Sequence, residues 1–184
     1  MKQRQTRRMI IVGMLSGIAF VLMFLKFPLP FLPPYLTVDF SDVPALIATF
    51  SFGPIAGIMV ELIKNLLNFF FNMSDPVGPV ANFLAGSSFL LTSYFLYRKR
   101  ETHTSLLISL IIATIIMTLV LSILNYFVLL PLYGMIMNLS DVANNLKIIV
   151  TAGIIPFNLI KGFLIAIIFL LLYPRIKKAL HLKS

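Results

Sequence analysis

Long apolar runs constrain the fold of this chain more than any other feature of its sequence. Residues 154–173 form one such run, and an α-helix needs about 20 apolar residues to cross a bilayer. Of the 184 residues, 59% are hydrophobic and only 11% are charged, so one soluble core cannot hide the apolar side chains. We therefore predict an all-α integral membrane protein.

The apolar runs divide into six predicted membrane helices, which form one bundle and a single domain over residues 1–184. A proline-rich loop follows the first helix, and Gly53-Pro54 ends the second helix early. Asp42 is expected to cap that short helix. The last helix is longer than a bilayer needs, and a kink is expected near Pro156. The predicted helices are 8–25, 43–52, 54–71, 80–97, 105–130 and 142–173.

The net charge of +9 lies beside the apolar runs. Eleven of the fifteen Lys and Arg residues fall in three clusters, within residues 2–8, 98–100 and 175–183. Such clusters indicate the cytoplasmic side and attract anionic membrane lipids, and they do not form a nucleic-acid patch. With six helices, both termini and the 98–104 loop are then cytoplasmic, and the outer loops are 26–42, 72–78 and 133–141.

Lys161 lies inside the last apolar run, with Asn158 one helical turn before it on the same face. A lysine at the centre of a membrane helix is costly, by about 3 kcal/mol on insertion scales, so it usually faces a partner or a ligand. No acidic residue lies nearby on the same helix. We therefore favour a ligand-binding role for both side chains over a purely structural one.

The third predicted helix carries a polar face of its own. Glu61, Asn65 and Asn68 follow one another at spacings of four and three residues, which places them on one side, with Lys64 beside them. Glu61 and Lys64 are spaced to form an ion pair, and either a structural pair or a direct ligand role fits them. Glu61 is the only acidic residue expected at depth.

The fifth predicted helix presents Thr114, Thr118, Ser122 and Asn125 on one face. The hydroxyls are expected to tie helices together, whereas Asn125 is a candidate ligand-binding residue. At 1.5 Å per residue, the polar groups of the three helices converge in the outer half of the bilayer. This placement predicts a ligand cavity that opens outward.

Small residues four positions apart mark the first helix. Gly13 and Gly17, with Ser16 between them, would let another helix approach closely near the cytoplasmic end. A partner protein or internal packing explains such a motif equally well, and we predict a partner-binding role.

Catalytic chemistry has little support in this sequence. Both histidines, His103 and His181, fall in basic segments next to the predicted cytoplasmic ends. No carboxylate pair, metal-ligand spacing or phosphate-binding loop is visible, and there is no cysteine. We predict neither an enzyme, nor a metal site, nor a bound cofactor.

Several sequence blocks resemble the substrate-binding S components of energy-coupling factor (ECF) vitamin transporters, most closely their riboflavin-specific members. The resemblance covers essentially the whole chain. It rests on Gly13 and Gly17, on Gly53-Pro-Ile-Ala-Gly57 and on further blocks. These are Tyr35-Leu-Thr-Val-Asp-Phe-Ser-Asp-Val-Pro-Ala-Leu-Ile47, Lys64-Asn-Leu-Leu67, Val77-Gly-Pro-Val-Ala-Asn-Phe-Leu-Ala-Gly86 and Asn158-Leu-Ile-Lys161.

The resemblance implies a six-helix protein of a bacterial plasma membrane that captures riboflavin from outside. It implies partners as well, a membrane-embedded T component and two ATP-binding cassette ATPases. A flavin ring needs an apolar slot and amides that donate and accept hydrogen bonds, which asparagines supply. The residues then expected at the ligand are Asp39, Phe40, Ser41, Glu61, Lys64, Asn68, Ala85, Asn125, Asn158 and Lys161.

Two other functions fit the sequence. One is an S component for a different vitamin. The other is a self-sufficient ion-coupled or proton-coupled transporter that uses Glu61 and Lys64, although no inverted repeat is visible.

Overall fold

The fold is a bundle of helices, seen here in a computed structural model that describes residues 2–33, 36–72, 75–136 and 145–179. Two π-helical stretches extend the later helices, Asn125–Leu129 between α5 and α6 and Ile149–Ile154 between α7 and α8. The α-helices are α1 (Lys2–Phe24), α2 (Asp42–Phe52), α3 (Pro54–Phe71), α4 (Val77–Tyr97), α5 (His103–Leu124), α6 (Leu130–Ile136), α7 (Leu146–Ile148) and α8 (Ile155–Ala179).

Five helical stretches are long and apolar enough to cross a membrane, which confirms the predicted class of an all-α membrane protein. They are Gln5–Phe24, Pro54–Phe71, Val77–Tyr97, His103–Ile136 and Leu146–Ile176. The remaining predicted helix, 43–52, is present as α2, but its 11 residues extend only about 16 Å. This is roughly half of the ~30 Å hydrocarbon core, so α2 does not cross a bilayer by itself.

Helices α2 and α3 form a tight antiparallel hairpin. Gly53, between them, has φ +94°, a backbone conformation that residues other than glycine rarely adopt. A Cβ atom on Gly57 would lie 1.8 Å from Thr49 Oγ1 and 2.9 Å from the Ala45 carbonyl oxygen. The two helices can therefore pack this closely only because position 57 carries no side chain.

The bundle has two chemically different ends. At one end α1, α3 and α5 finish and α4 and α8 begin, around a cavity described below, and we call this the cavity end. The opposite end carries the described residues of the three basic clusters and is called the basic end. There Phe50 of α2 packs against Tyr97 and Phe169, with ring centroids 5.2 and 5.0 Å away.

The first residue of α2 lies deep inside the bundle. Asp42 is eight residues, or about 12 Å, above Phe50 along the helix. Ser41 and Asp42 are 0% and 2% exposed. The chain that leads into α2 therefore dips from the cavity end into the interior and carries polar side chains with it.

The loop after α1 contains a short strand pair that the sequence did not predict. Phe27–Pro28 (β1) pairs antiparallel with Thr37–Val38 (β2), Phe27 opposite Val38. Pro33 and Leu36 pack on the last span, 3.8 and 3.6 Å from where a Cβ of Gly153 would lie. Tyr35 lies outside the described residues.

Both π-helical stretches end two residues before a proline, Pro131 in α6 and Pro156 in α8. Wider i→i+5 hydrogen bonding is one way in which a helix adjusts to a proline. The fifth span therefore continues to Ile136, and the prediction that it ends at Leu130 is wrong. Residues 133–136 of the predicted outer loop 133–141 are helical, and its other residues, like residue 142, the predicted start of the last helix, lie outside the described residues.

Candidate ligand-binding site

A cavity of about 190 Å³ opens at the cavity end between the helices. All five long spans contribute to its wall, and the first loop adds residues that include Leu36 and Thr37. Ile154, Phe157 and Leu121 give it apolar walls. Its polar lining consists of Lys26, Asp39, Asn68, Asn72, Asp75, Asn82, Asn125, Asn158 and Lys161.

Asparagines on four different helical spans meet in this cavity. Asn125 and Asn158 are 8% and 4% exposed, and each donates its side-chain amide to the carbonyl oxygen four residues earlier, at 2.8 and 2.9 Å. One amide hydrogen and the side-chain oxygen of each residue remain for a ligand. Asn68 lies on the wall formed by α3. The predicted convergence of these polar groups is thus present in the fold.

Lys161 lines the cavity but already has protein partners. Its Nζ donates to Asn82 Oδ1 at 2.6 Å and lies 3.2 Å from Asp42 Oδ2. No acidic residue lies near this lysine on its own helix, as the sequence indicates, and its acidic partner comes from α2 instead. Asp42 is likewise not the predicted helix cap, since its carboxylate faces Lys64 and Lys161. An ammonium has three hydrogens, so Lys161 keeps one for a ligand.

Six side chains close a polar ring across four helices. Lys161 joins Asn82, whose amide donates to Asn65 Oδ1 at 3.2 Å. Asn65 donates to Glu61 Oε2 at 3.3 Å. Glu61 pairs with Lys64 at 3.0 Å, Lys64 pairs with Asp42, and Asp42 returns to Lys161. We call these six residues the polar ring; α2, α3, α4 and α8 meet in it.

The predicted ion pair between Glu61 and Lys64 is confirmed, and both side chains are 0% exposed. Lys64 also donates to Ser41 Oγ at 2.8 Å. Neither Glu61 nor Lys64 lines the cavity. Within the polar ring, they are among the members that lie away from the cavity. In this conformation they support the site and do not reach a ligand.

The predicted ligand-binding residues of the first loop and of α4 also divide into some that line the cavity and some that do not. Asp39 and Ala85 line the cavity, and Asp39 also accepts a hydrogen bond from the Ser41 backbone N–H at 2.8 Å. Phe40 packs on Phe27, with ring centroids 5.8 Å apart, and on the hydrophobic core. Phe40 and Ser41 are not part of the lining.

Sequence reasoning missed two important members of the site, Asp42 and Asn82. The sequence did contain a signal for Asp42. Two lysines were expected at depth but only one carboxylate, Glu61, so one positive charge lacked a partner. Asn82 is a polar residue in the first turns of an otherwise apolar helix. The same argument that selected Asn158 and Asn125 applies to it.

The hydroxyls of α5 do not tie helices together as predicted. Thr114, Thr118 and Ser122 each donate to the carbonyl oxygen four residues earlier on their own helix, at 2.9, 2.8 and 2.6 Å. Such bonds satisfy a hydroxyl without any partner helix. Among the described residues, no three histidine, aspartate or glutamate side chains come together to bind a metal ion.

Gly86 makes room for the polar ring. A Cβ atom there would lie 2.4 Å from both the carboxyl carbon and Oε2 of Glu61. We expect Gly86→Ala to lower the stability of the protein by about 1–3 kcal/mol, measured by thermal unfolding in detergent. The loss should disappear when Glu61 is already alanine, and an equal loss in that background would contradict the contact. Gly13→Ala, which meets open space, is the control.

The small residues of α1 point in two directions. Gly13 and Gly17 are exposed, and a Cβ at either position would meet no atom within 4 Å. Ser16 is 1% exposed and donates to the Val12 carbonyl oxygen at 2.8 Å, so in this conformation it faces the bundle and cannot touch a partner. Internal packing therefore does not account for the two glycines.

The sequence matches a family model described as the substrate-specific component of ECF transporters over residues 7–173. The riboflavin transporter RibU of Staphylococcus aureus is 66% identical over 176 residues, which cover 96% of this chain and 93% of that protein. The riboflavin transporter FmnP of Bacillus subtilis is 49% identical over 179 residues, with 94% of this chain and 93% of FmnP covered.

A solved structure gives the same result for the fold. It is the S component of a bacterial ECF transporter, which superposes with a TM-score of 0.85 at 62% sequence identity. The superposition covers 96% of this chain and 98% of that one.

Proposed function

The chain belongs to the substrate-specific components of ECF transporters, and from this membership we propose that it captures riboflavin outside the cell for ATP-driven import. It is a multi-pass protein of the bacterial plasma membrane. The observation that carries the proposal is an amide-lined cavity in a chain 66% identical to a riboflavin transporter.

The chemistry of the cavity suits a flavin. The flavin ring is flat and largely apolar, and its imide edge alternates carbonyl oxygens with an N–H. Ile154, Phe157 and Leu121 offer apolar walls, while Asn125 and Asn158 offer amide donors and acceptors. Lys161 offers one further hydrogen to a ring or ribityl oxygen. In this proposal the three polar side chains fix the orientation of the ring.

The size of the cavity implies that the first loop moves. Pockets that enclose a ligand of this class usually measure about 300–1,000 Å³, more than the 190 Å³ found here. Leu36 and Thr37 of the loop form part of the wall, and Leu36 and Pro33 pack near Gly153 of the last span. We infer that this loop shifts outward as riboflavin enters and then covers it.

Orientation in the membrane follows from the charges. The described residues of the basic clusters, within 2–8, 98–100 and 175–178, lie at the basic end, which the positive-inside rule assigns to the cytoplasm. Both termini are then cytoplasmic and the cavity opens to the outside, where an imported vitamin is met.

Energy for transport comes from other proteins in this proposal. The chain carries no phosphate-binding loop in its sequence. An ECF T component and two ATP-binding cassette ATPases would supply the hydrolysis. Exposed Gly13 and Gly17 of α1 give the T component a face where another helix can approach closely.

Titration of the flavin's own fluorescence tests the proposed site. The purified protein should quench bound riboflavin, and Asn158→Leu and Lys161→Met should each weaken binding at least about tenfold. Each change leaves flavin polar atoms buried without a partner, at about 1–3 kcal/mol per atom. Ser122→Ala is the matched control, because Ser122 bonds only to its own helix and does not line the cavity.

Thermal unfolding in detergent of every variant separates lost binding from lost folding. Unchanged affinity in both folded variants would exclude the cavity as the riboflavin site. Tighter binding of another vitamin in the same assay would favour the sibling S component. Uptake into proteoliposomes without any ATPase would favour the ion-coupled transporter.

A further inference from the structure

The floor of the cavity is electrically balanced by a residue that makes no part of its lining. Within the polar ring, two ammonium groups, Lys64 and Lys161, face two carboxylates, Glu61 and Asp42. Asp42 holds one lysine with each of its oxygens and is 2% exposed. Of these four groups, only Lys161 reaches the cavity. A ligand therefore meets an ammonium whose charge is already offset from behind.

We propose that Asp42 is a specificity-determining residue, which keeps the floor of the cavity neutral and so selects the uncharged form of the flavin. The proposal rests on the proposed function, because it assumes that riboflavin occupies this cavity. Asp42 acts through Lys161, which it holds at 3.2 Å, and does not itself touch the ligand.

The flavin supplies a built-in probe of this role. Its imide N–H is a weak acid, and loss of that proton places a negative charge on the ring and changes its visible absorption. An ammonium compensated by a carboxylate stabilises this anion little, whereas an uncompensated ammonium stabilises it strongly. Removal of the Asp42 charge should therefore make bound riboflavin a stronger acid.

Other charged groups face the cavity and contribute to the electrostatic potential that a bound ligand meets. Asp39 lies on the chain leading into α2, and Lys26 and Asp75 lie at the mouth. The polar groups of the walls formed by α4, by the π-helical stretch after α5 and by the first turn of α8 are uncharged amides, Asn82, Asn125 and Asn158. Among the groups described around the cavity, Asp42 is thus the carboxylate in contact with Lys161, whereas Asp39 shares the cavity wall with this lysine without an ion-pair contact.

The test follows the absorption of riboflavin bound to Asp42→Asn as the pH rises. Compared with the unmodified protein, the pH at which the bound imide loses its proton should fall by at least about one unit. Asp42→Glu, which keeps the charge, should restore most of the original value. Glu101→Gln removes the same charge from an exposed loop and should cause no shift.

Glu61→Gln is the companion variant if Asp42→Asn does not fold. It removes one negative charge from the same polar ring without touching Lys161, so a smaller fall is expected. An unchanged or higher transition pH in a folded Asp42→Asn protein overturns the proposal, as does no shift in Glu61→Gln when Asp42→Asn is unfolded. Failure of the unmodified protein to bind riboflavin would instead reject the proposed function.

Discussion

Lys64→Met is expected to lower the stability of the protein by about 3–5 kcal/mol, the usual effect of removing one partner from a buried ion pair. Lys64 is 0% exposed and holds both Glu61 and Asp42. Without it, Asp42 keeps Lys161, but Glu61 is left as a buried carboxylate without a cation. Thermal or denaturant unfolding in detergent measures the loss.

The double change Lys64→Met with Glu61→Leu should recover most of that loss. It leaves Asp42 and Lys161 as a one-to-one pair and fills the remaining space with apolar side chains. Lys147→Met removes the same charge from an exposed position and should be nearly neutral. Additive losses in the double variant would show that Glu61 and Lys64 do not act as a pair.

Gly13→Leu combined with Gly17→Leu should abolish riboflavin uptake while riboflavin binding survives. Both positions are exposed and open, so the added side chains fit the isolated bundle and obstruct only an approaching helix. The expected result is loss of nearly all uptake by cells and loss of the T component from the purified complex, at unchanged flavin affinity.

Leu119→Phe serves as the control for bulk at a lipid-facing position, since Leu119 is 58% exposed on a different helix. It should leave uptake and assembly intact. Normal transport by the double glycine variant would remove α1 as the partner face. A loss of flavin affinity as large as that of Lys161→Met would mean that α1 shapes the cavity.

Local periodicity was enough to predict the polar face of α3. Glu61, Asn65 and Asn68 are spaced by about one helical turn, so any helix through them brings them to one side. The same reasoning found Asn158 with Lys161 and the apolar length of the spans. Such patterns depend only on helix geometry, which each segment carries in its own sequence.

The contact between Asp42 and Lys161 could not be predicted in this way. The two residues are about 120 positions apart, and their meeting depends on how deeply the chain before α2 dips into the bundle. That depth is set by the Gly53 turn and by the packing of Gly57 on Ala45, which are tertiary effects. A loop acid and a buried counter-ion look alike in a linear sequence.

The π-helical stretches were beyond prediction for a different reason. Pro131 and Pro156 indicate that regular helical hydrogen bonding is interrupted. A helix can accommodate a proline by ending, by kinking or by adopting wider π-helical hydrogen bonding. The sequence led us to end one helix at Leu130, which is wrong, and to expect a kink in the other, but it predicted the widened segment in neither span. Which response wins depends on neighbouring helices.

The polar ring also has a consequence for the order in which the helices assemble in the membrane. Synthesis runs from the N-terminus, so Asp42, Glu61 and Lys64 are all made before Lys161. Without the last span, the polar ring would contain two carboxylates and one ammonium, so one negative charge would have no partner. The last span, whose lysine opposes its insertion, would find that charge as its docking point. Assembly of the bundle is thereby tied to completion of the chain.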